Sequence, residues 1–150
     1  MAGKNHIEKS FRIQWDDSGG TARDLTGDLV VGSLGNGGGL TYDEADMTGV
    51  SETVYNYLSG HATSEISANF HLNDTATTGA FTVLKATGGL VGTLTLQYGQ
   101  NGAAPTSGDP EWEGEYVLLS NSVQLDGNKF VLSCTWKPSG ATAPAWGTVS

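Results

Sequence analysis

The chain has 150 residues, a formal net charge of -9 and a single cysteine. That length suits one domain with its own core, the lone Cys134 rules out an internal disulfide framework and fits a reducing compartment, and the acid excess argues against tight nucleic-acid binding through clustered Lys and Arg. The start "MAGKNHIEKS" has no apolar signal core and no apolar run reaches the roughly 20 residues of a membrane helix, so a cytosolic, soluble protein with no membrane partner is expected.

Strand patterns dominate from the start. An arm over residues 1–9 leads into "FRIQWDD", where Phe11, Ile13 and Trp15 alternate with Arg12, Gln14 and Asp16. "DLTGDLVVGSL" supplies a second apolar segment centred on Leu29, Val30 and Val31, and "GNGGG" reads as a long flexible loop. "LTYDEADM" is extended but polar. In "VSETVYNYLSG", Ser51 as N-cap, Val54 and Leu58 at helical spacing and Gly60 as terminator predict a short amphipathic helix that needs a sheet to dock on.

"SEISANFHLND" alternates cleanly, with Ile66, Ala68, Phe70 and Leu72 inward and Glu65, Ser67, Asn69 and His71 outward. "TTGAFTVLKATGG" is a candidate second, shorter helix. Strands follow in "GTLTLQYGQ" and in "WEGEYVLLSNSVQLDG", whose apolar phase switches near Leu118 to Ser120 and so implies a bulge. "DGNK" is a hairpin turn into "FVLSCTW", which places Phe130, Leu132, Cys134 and Trp136 on one face. The expected fold is mainly β, a sandwich or barrel in a single domain over 1–150, with a core over about 10–137 and a C-terminal arm over about 138–150.

Motifs for chemistry are weak. The acids Asp43, Glu44, Asp46 and Glu52 lie among Thr, Ser and Gly, with nothing to desolvate them into a raised pKa. The same holds for Asp16 with Asp17 and for Asp109, Glu111, Glu113 and Glu115. His6, His61 and His71 lack zinc spacing, no stretch fits a calcium loop, and "GNGGG" lacks the Lys and Ser/Thr of a phosphate loop. Neither an enzymatic function nor a cofactor is therefore expected. Cys134 belongs to the core. Of the tryptophans, Trp15 and Trp136 align with core positions, whereas Trp112 and Trp146, beside Pro110 and Pro144, are the two free to contact a partner.

The order of these elements resembles the tail tube proteins of long-tailed bacteriophages. The resemblance spans residues 10–148 and rests on "LTYDEADMTGVSETVYNYLSGHATSEISANFHLND", "TTGAFTVLKATGG" and the closing "GDPEWEGEYVLLSNSVQLDGNKFVLSCTWKPSGATAPAWGTV". It implies a β-sandwich with a flanking helix and a virion protein assembled in the host cytoplasm. Six copies would form each ring, and stacked rings would make a channel through which genomic DNA passes without tight binding. Other tail or connector proteins would be its partners. Asp43, Glu44, Asp46, Trp112 and Trp146 are then candidates for self-assembly, and Glu65, Ser67, Asn69 and His71 for the lumen. Head-tail connectors, tail terminators and capsid decoration proteins share similar folds. Beyond that class, a carbohydrate-binding module using exposed tryptophans and a small hydrolase using the acidic pairs are the rival readings.

Overall fold

In the computed structural model, residues 10–150 are described; the expected arm over 1–9, including His6, lies outside them. Among the described residues the protein is mainly β, with one short α-helix between strands. The strands are β1 (Phe11–Asp16), β2 (Ala22–Asp24), β3 (Thr41–Asp46), β4 (Tyr57–Thr63), β5 (Ile66–His71), β6 (Val91–Tyr98), β7 (Pro110–Asp126), β8 (Lys129–Pro138) and β9 (Ala145–Thr148), with helix α1 (Ala80–Ala86) between β5 and β6.

The main sheet is antiparallel and runs β2-β1-β6-β7-β8-β5, with β9 added to β7. Its period-2 patterns all turn the same side inward. Phe11, Ile13 and Trp15 on β1, Leu94 and Leu96 on β6, Trp112, Tyr116 and Leu118 on β7, and Leu132, Cys134 and Trp136 on β8 form one buried cluster with Ile66, Ala68 and Phe70 of β5. The sheet curls until its distant strands meet, so that Trp136 packs edge-on against both Trp15 at 5.8 Å and Phe70 at 6.1 Å. Burial of each such large side chain contributes about 1.5–3 kcal/mol.

Closure comes from the segment after β2. Its Leu25 N–H donates to the Ile13 carbonyl of β1, whereas the Val30 and Gly35 N–H groups donate to the Asn69 and Ser67 carbonyls of β5. One stretch of chain thus links β1, near one end of the sheet, to the outer strand β5 at the other, leaving β5 with few unmet backbone groups and giving a barrel-like body. Helix α1 sets Ala80, Val83 and Leu84 into the same core. The Trp15 indole N–H donates to Thr87 Oγ1 at 3.0 Å, which ties β1 to the end of that helix.

The expected bulge is present, with the β7–β8 register shifting between Leu118 and Ser120, and Asp126 and Lys129 flank the "DGNK" turn with Gly127 at φ 62°. Four expectations are corrected. Residues 51–58 are not a helix: Ser51 to Asn56 form an open connection and Tyr57 begins strand β4. Val54 and Leu58 are 75% and 56% exposed, so the sheet they needed is absent beneath them, and Thr53, Val54, Tyr55 and Tyr57 are strand formers rather than helix formers.

Leu29 to Val31 do not build a strand. A 3-10 turn over Thr26–Asp28 leads into a single bridge from Leu29 to Phe70. Leu72 is exposed because β5 ends at His71. The glycine-rich stretch is packed rather than free: a Cβ on Gly35 would overlap Ser67 Oγ, and one on Gly38, at φ 121°, would lie 2.7 Å from the Trp112 ring.

Candidate assembly interface

Two parts of the molecule expose large apolar side chains that its own core does not cover. The first is the β3–β4 hairpin. Every residue of both strands is exposed, and among the described residues these strands pair only with each other. An isolated two-stranded hairpin is marginal in water, because nothing covers either face. Directly paired residues share a face. Tyr42, Glu44 and Asp46 of β3 therefore lie on one side with Ala62, Ser59 and Tyr57, their partners on β4.

That side is acidic and aromatic at once. Tyr57 stacks on Tyr55 with ring centroids 6.2 Å apart. The far end is organised by short polar links: the Thr48 N–H donates to Asp46 Oδ1, the Asn56 N–H to Thr48 Oγ1, and the Met47 N–H to the Asn56 carbonyl. Hydrogen bonds from Thr48 hold the Asp46 carboxyl below its usual range, so it stays ionised.

The second part is the outer half of the β7–β8 hairpin. Past the bulge, Asn121, Val123 and Leu125 face Cys134, Leu132 and Phe130 across the ladder. This row continues the inner face of the barrel beyond its end, for Leu132 is 1% exposed and Phe130 is 60% exposed. Leu119 at the bulge is exposed as well.

The remaining sequence candidates are dispersed. Asp43, Glu44 and Asp46 are on exposed β3. Trp112 is corrected: it is 1% exposed, under Gly38, and its indole N–H donates to Tyr116 Oη at 2.8 Å. Pro110 disrupts nothing, because it occupies the first position of β7, where a missing N–H is tolerated. Trp146 of β9 is 57% exposed and packs on Trp112 at 5.0 Å and on Tyr98 at 6.1 Å.

On the outer face of β5, Glu65 and His71 are exposed, but Ser67 and Asn69 are half-buried. The Asn69 N–H donates to Ser33 Oγ and the Ser67 carbonyl accepts from Gly35, so the chain's own excursion covers the middle of this face. The Glu65 carboxylate lies 3.7 Å from Lys137 Nζ.

Several other acids hold neighbouring segments together. Glu111, Glu113 and Glu115 form a row on β7 and accept hydrogen bonds from Gln97, Thr95 and Thr93 of β6 at 2.7, 3.0 and 2.6 Å. Asp17 accepts from the Gly19 and Thr21 N–H groups and from Arg23 Nε. Burial pushes the Cys134 thiol up to about 12, and burial together with nearby Tyr116 pushes the Tyr98 hydroxyl to about 12. Tyr98 donates that proton to the Gly37 carbonyl. Asn73 donates to Asp28 and accepts from Thr75. Among the described residues, no three His, Cys, Asp or Glu side chains are grouped to hold a metal, and no helix is long and apolar enough to cross a membrane.

Compared with known proteins, the chain matches no family model and no curated protein sequence. The molecule's own geometry is a barrel-like body bearing an uncovered hairpin and an uncovered apolar row. Sequence reasoning missed the hairpin. Its signal was the alternation Tyr42, Glu44, Asp46 and the tyrosine pair Tyr55 and Tyr57, residues suited to a pleated surface.

Proposed function

We propose that this chain is a structural virion protein, a tail tube subunit whose copies close into hexameric rings that stack into a DNA-conducting channel. The observation that carries the reading is the β3–β4 hairpin, exposed along both strands and supported by no core of its own. Such an arm gains stability by lying on another molecule, and a chain that repeats around a ring supplies that molecule at high local concentration. The sequence resemblance to phage tail tube proteins supplies the ring of six, the stacking and the virion location.

Charge is consistent with this role. A channel for DNA must not hold its cargo, and a chain of net charge -9 repels phosphates rather than neutralising them. The carboxylates serve solubility, strand pairing and subunit contact, with no reaction assigned to them. The protein would be made in the host cytoplasm and work in the virion.

The test is assembly of the purified chain. Raised in concentration without metal or nucleotide, it should pass from small species to rings and tubes visible by negative-stain microscopy and by sedimentation. Single rings that never stack would move the assignment to a head-tail connector or decoration protein. A monomer at every concentration and ionic strength would eliminate the whole class, leaving sugar binding at exposed Trp146 as the next reading to assay.

A further inference from the structure

The two uncovered surfaces complement each other. The row Val123, Leu125 and Phe130 has the pattern of a core face, yet nothing in the described chain lies over it. β6 pairs with β7 only as far as Val117, and no described strand pairs the same edge beyond Asn121. The row therefore offers both apolar side chains and open backbone groups, the two features that accept an added strand or hairpin.

Charge completes the match. Among the described cations, Arg12, Arg23 and Lys137 lie in ion pairs with Asp24, Asp17 and Glu65, and Lys85 sits over the Phe81 ring. Lys129 remains, at the tip of the β7–β8 hairpin beside Phe130; Asp126 is opposite it in register but not within ion-pair distance. The β3–β4 arm has the converse imbalance. Residues 40–63 contain Asp43, Glu44, Asp46 and Glu52 and no Lys or Arg.

We propose that the β3–β4 arm of one copy lays its Tyr42, Tyr57, Glu44 and Asp46 side on the Val123, Leu125 and Phe130 row of a second copy, with Lys129 received by Glu44 and Asp46. The contact is between molecules, because every strand residue of the arm is exposed within its own chain. It is heterologous, arm to row, and such contacts repeat around a ring until it closes. This inference rests on the self-assembly reading and names the surfaces that reading needs.

The experiment has two arms. Tyr57→Cys and Phe130→Cys variants, both at exposed positions, are mixed and oxidised: an intermolecular disulfide should form in the mixture and in neither variant alone. In parallel, Lys129→Glu should raise the concentration for half-assembly by about tenfold or more, since a like charge replaces an opposite one at the contact. Adding Glu44→Lys and Asp46→Lys to Lys129→Glu should restore assembly.

Wild-type protein that assembles while showing neither the mixed disulfide nor any effect of Lys129→Glu would overturn the docking and leave the tube reading standing. A disulfide in the Phe130→Cys sample alone would overturn it too, because the rows would then meet each other. A wild type that stays monomeric throughout would sink the tube reading, and the docking with it. Unchanged thermal melting of each variant establishes that the effects arise at the contact.

Discussion

The Asp28 carboxylate accepts the backbone N–H of Ala80 at 3.1 Å, joining the 3-10 turn after β2 to the first turn of α1 across 52 positions of sequence. The helix has no cap of its own, since Gly79 at its N-cap has no side chain. Asp28 also accepts both contacts from the Asn73 amide, at 3.0 and 3.1 Å, and so fixes the chain on its way from β5 into the helix.

Replacing Asp28 by Ala should therefore destabilise the protein by about 1–2 kcal/mol, the usual loss for an N-cap side chain, with the unpartnered Asn73 amide adding to it. Urea unfolding at neutral pH measures this. A midpoint equal to the wild type would show that the cap contributes nothing.

The same relationship explains which parts of the fold were legible. Local rules favoured a helix at 51–58, where Ser51, Val54, Leu58 and Gly60 satisfy cap, spacing and stop, over one at 80–86, whose cap comes from a distant turn. Tertiary context decided the matter, for Val83 and Leu84 have a core to enter and Val54 and Leu58 have none. Strands with one buried face, such as β1, β5 and the inner half of β8, were readable because alternation reports a buried side.

That code is silent on what lies beyond the chain. Phe130 aligned with Leu132 and Trp136 in sequence, and it does in space, but alternation could not show that the barrel ends between them. Trp112 was misjudged from Pro110, although it alternates with Tyr116 and Leu118. The candidate site was visible as acids, without the hairpin that presents them.

Acid stability should depend on Asp17. The Thr21 N–H bond, then the Arg23 guanidinium, hold its carboxyl below the usual range in the folded protein. A depressed folded pKa gives stability that is present above the unfolded value of about 3.9 and lost as pH falls through the folded one. The Tm difference between wild type and Asp17→Asn should thus be largest near neutrality and shrink as pH drops below about 4. A difference that grows on acidification would reverse the sign and refute the assignment.

The lumen can be probed through β5. Glu65 and His71 are exposed on its outer face, whereas Ser67 and Asn69 lie partly under the glycine-rich excursion, so only the two outer positions accept a long cation without disturbing the fold. Breaking the exposed Glu65–Lys137 pair costs at most about 1 kcal/mol. If this face lines the channel, tubes carrying Glu65→Lys and His71→Lys should retain DNA, and retention should fall as salt rises through counterion release. Equal, negligible retention by variant and wild type across a salt series would place the face away from the DNA path.

Leu58 separates the hairpin from the helix that sequence alone implied. A docked helix would bury Leu58, and Leu58→Asp would then strand an unpaired charge in the core and collapse the fold. In β4 the side chain is exposed, opposite Ala45 and remote from the barrel cluster. The substitution should accordingly leave barrel stability within about 0.5 kcal/mol of wild type, as surface changes do. Leu58 shares a face with Ala45, opposite the Glu44, Asp46 and Tyr57 side that docks, so the concentration threshold for rings and tubes in sedimentation should also stay near the wild-type value. Loss of the melting transition in the monomeric variant would mean that residue 58 packs inside the chain after all, and the arm would have to be redrawn.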